Sequence, residues 1–295
     1  RATGRRVKAT SLPPSIEGYD LDAIDPERWP AGEDEALRSL KSFQRSIDDY
    51  GDARDRYAED GTSRLSPHLA VGSISIRQCL HGAFDAGGTL GLGNSGADVW
   101  IKELLWREFY RHLIVAEPRL SKSASMKSVD VRWREDEAGF EAWSTGRTGI
   151  PIVDAAMRQL LETSWMHNRL RMVVAMFLTK NLLIDWRRGE RFFMEHLIDG
   201  DLASNNGGWQ WAASTGADAA PYFRVFNPVS QSRRYDPDGT FLRRFLPELK
   251  DVDDPHDPAD AARERCGYPR AIVDLKATRT RAIEAFRDAD TRRTT

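Results

Sequence analysis

In the segment VWIKELLWREFYRHL, Trp100, Glu103, Trp106, Arg107 and Tyr110 recur every three or four residues. On a helix that spacing lines up two indoles, a carboxylate, a guanidinium and a phenol along one stripe. A solvated face is the ordinary place for charged helical residues. Exposed tryptophans are costly, however, and the mixture reads as a binding surface for a flat ligand with a polar edge. In WMHNRLRMVVAMFL, Asn168, Arg171, Met172 and Ala175 share a face that pairs polar groups with a thioether. Core packing is the plain alternative for Met172, and a hydrogen-bonded structural role the alternative for His167.

A third segment, DGDLASNNGGWQWAASTGADAAPYFR from Asp199 to Arg224, places two carboxylates, two amides and three glycines ahead of Trp209 and Trp211. It offers hydrogen bonds to the edge of a heterocycle or to a ribose and lets backbone come close; an Asx-rich capping loop is the other reading. The TSRLS run at 62–66 supplies three hydroxyls. Ser66-Pro67 reads as a helix start, whose free N–H groups and dipole favour an anion such as a pyrophosphate. GLGNSG at 91–96 has the letter pattern of a dinucleotide-binding glycine loop. The residues before it read as a helix end and a flexible loop rather than a strand, so an ordinary loop is expected.

The elements that must carry these groups are helical. Apolar Leu37, Leu40 and Phe43 give an amphipathic helix over 33–43, and Ser66 and Ser75 read as N-caps of two short ones. Long helical patterns follow at 98–117, 151–163 and 165–185, then at 189–198, with a last one at 270–289. Strict period-two alternation is almost absent, so the fold class is all-α. Residues 1–30, with Pro13, Pro14, Pro26 and Pro30, read as a linker leading into a helical domain over 31–290.

The 295 residues carry 43 Lys and Arg against 45 Asp and Glu, a net charge of −2. That excludes holding nucleic acid or anionic membrane by bulk charge, so a nucleic-acid partner needs a local basic patch. The longest apolar run, Met172 to Leu178, is far short of the roughly 20 residues of a spanning helix, and a soluble globular protein is expected. Cys79 and Cys266 lie in no metal-type spacing, and neither a zinc site nor a disulfide framework is supported. The start at Arg1, without Met or signal peptide, reads as a piece of a longer chain.

Together, GTSRLSPHLAVG, VWIKELLWREFYRHL, GIPIVDAAMRQL, WMHNRLRM, LLIDWRRGERFF and DGDLASNNGGWQWAASTGADAAPYFRVFNP resemble the helical flavin-binding domain of the photolyase and cryptochrome family. The resemblance runs from about Gly32 to Asp251 and leans to photolyases acting on cyclobutane pyrimidine dimers. It implies a helical bundle holding FAD. It also implies an upstream α/β antenna domain with a folate or deazaflavin chromophore. Tyr50, Thr62, Ser63, Arg64, Leu65 and Ser66 match positions around the flavin phosphates and sugar chain, with Arg107 near them. Arg171 and Asp199 would pair over the isoalloxazine, Asp201 would lie toward the adenine and ribose, and Asn205 would face flavin N5. Trp100, Glu103 and Asn168 also match cofactor positions.

For the lesion, the resemblance implies a pocket of Glu103, Trp106, Tyr110, Asn168, Met172 and Trp211 that takes a dimer flipped from DNA. The implied reaction is a light-driven electron transfer from reduced FAD that splits the cyclobutane ring. Glu103, Met172 and Asn205 would be its catalytic groups. Trp209, Trp186 and Trp133 match an electron relay, with unrelated core indoles as the alternative. Arg54, Arg169 and Arg224 match backbone-binding positions on UV-damaged DNA, and the duplex is the expected form. A monomer in a reducing cytoplasm, nucleoid-associated through DNA and not bound to membrane, completes the expectation. A cryptochrome photoreceptor is disfavoured by Asn205, where plant-type members carry an acid. A six-four photolyase is disfavoured by Met172, which stands where a catalytic histidine belongs.

Overall fold

A computed structural model describes residues 25–90 and 93–294. Most of the expected linker and the first two residues of GLGNSG lie outside the described residues. Among the described residues there is no strand, and the all-α expectation holds. The helices in chain order are α1 (Glu33–Gln44), α2 (Tyr50–Ala53), α3 (Ser66–Val71), α4 (Ile76–Asp85), α5 (Gly96–Ala116), α6 (Glu137–Ser144) and α7 (Pro151–Thr163). They continue with α8 (Asn168–Met176), α9 (Trp186–His196), α10 (Leu202–Ala212), α11 (Pro228–Tyr235), α12 (Thr240–Phe245), α13 (Asp260–Cys266) and α14 (Leu275–Thr294).

Local chemistry explains most of the helix ends. Ser75 with Gln78, and Ser95 with Asp98, form reciprocal capping boxes that start α4 and α5. Residues 93–95 of the glycine-rich run are therefore the lead-in to a cap. Three boundaries differ from expectation. Ser66 does not cap α3: Leu65 stands at the cap position and Ser66 lies in the first turn with Pro67. The pattern at 165–185 is not one helix, because His167 Nδ1 accepts the Arg169 N–H and starts α8 at Asn168. Its far end widens into a π-turn at Phe177–Asn181, where Thr179 Oγ1 bonds back to the Ala175 carbonyl and Arg281 of α14 takes the Asn181 carbonyl. The last helix begins at Leu275, where Asp274 accepts the Ala277 N–H at 2.7 Å.

Two apolar clusters face each other. The smaller contains Leu40, Phe43, Tyr50, Trp100, Ile101 and Leu104 from α1, α2 and α5. The larger gathers Trp143, Met157, Leu170, Val174, Phe193 and Trp209 from α6 through α10. Helix α10 lies between α5 and α9 at unusually short range. A Cβ at Gly207 would collide with the Tyr110 ring of α5, and one at Gly189 of α9 with the Trp209 ring.

Helix α7, which backs α8, is anchored by a buried carboxylate. Asp154 accepts from Thr148 N at 2.7 Å, Thr148 Oγ1 at 2.6 Å, Gly149 N at 2.9 Å and Tyr268 Oη at 2.6 Å. Burial pushes its carboxyl up to about 6 against the pull of these hydrogen bonds. In an unfolded chain the value is about 3.9, so folding favours the protonated form. The stabilisation from this group is full below about 4 and is lost as the pH rises through about 6. Urea unfolding at pH 7 and pH 5 tests this. Native stability relative to Asp154→Asn should improve by about 1 kcal/mol at the lower pH, and a difference that does not change with pH would refute it.

Candidate functional site

Where the two clusters meet there is a cavity of about 560 Å³, within the range of about 300–1,000 Å³ usual for small-molecule and cofactor sites. Helix α5 lines it with Trp100, Glu103, Leu104, Trp106, Arg107 and Tyr110, and α8 with Asn168, Arg171, Met172 and Ala175. The stripes at 100–110 and 168–175 thus face one another. Asp199, Asp201, Ser204, Asn205, Gly208, Trp209 and Trp211 form a third wall, and Tyr50, Arg54 and residues 62–66 a fourth. The stretch after Asp199 is a helix and not a loop, because Asp201 caps α10 by accepting the Ser204 N–H at 2.9 Å.

Charge inside the cavity is arranged in pairs. Arg171 Nη2 donates to both oxygens of Asp199, at 2.8 and 3.0 Å, as expected for that pair. Arg54 donates to Glu103 at 2.7 Å and lies 5.6 Å from the centre of the Tyr50 ring. Arg107 donates to Glu108 and to the Leu69 carbonyl, tying α5 to α3. Burial opposes ionisation of Asp201, but the Ser204 N–H and Arg111 prevail and hold its carboxyl below the usual range. Burial raises the Tyr50 and Tyr110 phenols. Burial also lowers the His167 imidazole to about 4, which leaves it neutral and makes it a helix-capping acceptor rather than a base at neutral pH. The Asn205 amide is oriented by donating to the Glu190 carbonyl at 2.8 Å.

The mouth is aromatic. Trp106 is 42% exposed, stacked on Tyr110 at 6.1 Å and edge-on to Phe109 at 5.5 Å. Trp211 and Met172 also line the cavity. Of the expected relay, Trp209 lines the cavity, while Trp186 is fully buried on α9 and Trp133 meets Phe286 at 5.9 Å, both outside the lining. Arg169 and Arg224 are also outside it. Arg169 pairs with Asp55 at 2.6 Å over the Tyr235 ring, and Arg224 is exposed on the loop before α11.

Sequence reading missed Trp165, Ser204 and Asp218 in the lining, and Trp143, which meets Trp209 at 6.0 Å. It also missed Arg111, which donates to Asp201 at 2.6 Å. Arg111 is one turn beyond Arg107, a signal that helical spacing contained.

A flavin fits these residues. Gly208 lines the cavity, and a Cβ there would meet nothing within 4 Å, so the missing side chain leaves room for a ligand. Trp165, also in the lining, keeps a buried indole N–H without a partner. Arg64 at φ +49° precedes Leu65 at φ −82°, ψ −3°. Such an alternation turns successive N–H groups toward a common anion, as a phosphate requires.

Residues 100–288 match the family described as the FAD binding domain of DNA photolyase. The deoxyribodipyrimidine photo-lyases of Vibrio cholerae and Escherichia coli are each 50% identical to this chain, over 92% and 94% of it. The chain spans 59% and 60% of their lengths. Among solved structures, a bacterial class III photolyase from Agrobacterium tumefaciens is 42% identical with a TM-score of 0.80, covering 89% of this chain and 57% of that one. A Synechocystis cryptochrome is 33% identical with a TM-score of 0.81, covering 95% of this chain and 61% of its own. The chain belongs to the photolyase FAD-binding family, and FAD is the cofactor of that domain.

Filling the space at Gly208 should therefore separate folding from cofactor binding. Gly208→Leu should leave the helix as stable as before or slightly more so, since glycine inside a helix costs about 0.5–1 kcal/mol. It should weaken FAD binding at least about tenfold, the effect of losing 1.4 kcal/mol. Fluorescence titration of flavin with melting of the flavin-free chain checks both, and unchanged affinity would show that Gly208 does not face the cofactor.

Proposed function

We propose that this chain is the cofactor- and lesion-binding part of a photolyase that splits cyclobutane pyrimidine dimers in duplex DNA, with residues 31–290 as the working domain. The observation that carries the reading is a single cavity of two characters. One part of its lining has hydroxyls, the Arg64–Leu65 turn and the Arg171–Asp199 clamp, while another has indole and thioether groups. When bound, reduced FAD supplies one electron on excitation by light.

The protein's own groups then have distinct tasks. Tyr50 and Thr62 to Ser66 hold the phosphates and sugar chain, with Trp100 and Arg107 behind them. Arg171 with Asp199, and Asn205, hold the ring end, while Asp201 accepts from hydroxyl or amine donors. Trp106, Tyr110, Met172 and Trp211 wall in two extruded pyrimidines. Glu103 and Asn168 bond their polar edges; to stabilise the negative charge that develops on the lesion, Glu103 must donate a hydrogen bond, which it does only as the neutral acid released from Arg54. Trp209, Trp186 and Trp133 relay electrons inward. Arg169 and Arg224, outside the cavity, contact the backbone, and Arg54 reaches it from the cavity wall where it now pairs with Glu103, which lets a chain of net charge −2 hold a polyanion through local basic groups. The molecule acts as a monomer in the compartment that holds the DNA.

A duplex oligonucleotide with one defined thymine dimer tests the reading, using protein whose absorbance shows bound, reduced flavin. Repair in blue light and not in darkness is expected. Failure with the flavin bound and reduced would overturn the reading. Glu103→Ala should lower repair per absorbed photon severalfold with the flavin retained, and an unchanged quantum yield would remove its role. Trp186→Phe should block photoreduction of oxidised flavin while sparing repair by chemically reduced protein; normal photoreduction would sink the relay.

A further inference from the structure

The two aspartates flanking Gly200 are gripped from opposite sides. Asp199 is held by Arg171 of α8, with Nη2 contacts at 2.8 and 3.0 Å. Asp201 is held by Arg111 of α5, whose Nη2 reaches Oδ2 at 2.6 Å. We propose that Arg111 is a positioning residue of the cofactor site, acting through Asp201. The proposal rests on the reading of the cavity as a flavin site, and not on the repair reaction.

Arg111 is not part of the cavity lining, but Asp201 is. Oδ1 of Asp201 accepts the Ser204 N–H at 2.9 Å, and Oδ2 accepts from Arg111. Both oxygens have fixed protein partners, the Ser204 side chain adding to its N–H and to Arg111, so the plane of the carboxylate is set before a ligand enters. A carboxylate in that state takes only donors. The matching groups on a dinucleotide flavin are sugar hydroxyls and ring or amine N–H groups.

The place of Arg111 on α5 strengthens the argument. Its neighbour Tyr110 is the residue whose ring lies against Gly207 of α10. The ion pair and the close contact therefore fix the same two helices against each other, one at the start of α10 and the other midway along it. Removing the guanidinium leaves Asp201 its capping bond but takes away its lateral restraint and its countercharge. Half of the device remains, and the ligand-facing half is loosened.

The test is a double-mutant cycle on the full chain, with FAD affinity read from flavin fluorescence and the melting temperature of the flavin-free protein read in parallel. Arg111→Gln should weaken FAD binding by about tenfold, the size of one charge-assisted hydrogen bond. In an Asp201→Asn background the same change should cost about twofold or less, because the partner it acts through is gone. Arg111→Lys should recover part of the loss, and it supplies the cycle should the glutamine variant fail to fold. Equal losses in both backgrounds, or a lower melting temperature with unchanged affinity, would overturn the proposal in favour of a purely structural ion pair. A native chain that binds no FAD would overturn the flavin reading beneath it. Normal FAD binding without repair would touch only the proposed reaction.

Discussion

The cavity depends on how closely α10 can approach α5 and α9. Two glycines set that distance, Gly207 beneath the Tyr110 ring and Gly189 beneath Trp209. A single methyl at either place meets aromatic carbon already in contact. Well-packed interiors transmit such displacements instead of absorbing them. The three walls that carry Glu103, Asn168 and Asn205 would separate. Gly208 has the opposite character, since its absent side chain leaves open space on the cavity wall. Adjacent glycines thus do different work, one permitting contact between helices and one leaving room between them.

Within that frame, the electrostatic design is one of neutralised pairs. Glu103, Asp199 and Asp201 each meet an arginine from another element. Partly buried carboxylates without partners would be costly, and removing one member of such a pair exposes that cost. The pairing also explains how a cavity rich in carboxylates can admit a phosphate-bearing ligand. The fourth lining carboxylate, Asp218, is exposed at the rim, where water screens it.

Aromatic residues are divided between interior and surface. Trp143, Trp186 and Trp209 are buried among apolar neighbours, with the Trp143 indole N–H satisfied by the Val174 carbonyl at 3.1 Å. Trp106 and Phe109 remain substantially exposed beside the opening. Apolar surface left in water beside a deep cavity is the mark of a binding surface. The cluster formed with Tyr110 joins these rings by edge-to-face and stacked contacts.

The stripes on α5 and α8 were legible in the sequence because they follow from helical geometry, which repeats within a few residues. The same holds for the capping boxes at Ser75 and Ser95, and the long motifs were enough to point to the family. Local pattern erred where a distant element intervened. It ran one helix through 165–185 because it could not see α14 drawing on Asn181, and at 199–208 it offered an Asx-rich capping loop only as an alternative, without the helix that Asp201 opens. Apart from the Arg171–Asp199 pair, which the resemblance implied, only the tertiary structure decided which charges meet. Arg54 and Glu103 are 49 positions apart, and Arg111 and Asp201 are 90 apart. Residue types and spacing show that these groups share a helix face with a polar task. The choice of partner depends on separations below 4 Å between elements remote in the chain, and those are set by how the helices pack, at Gly207 for α5 against α10, not by any periodicity.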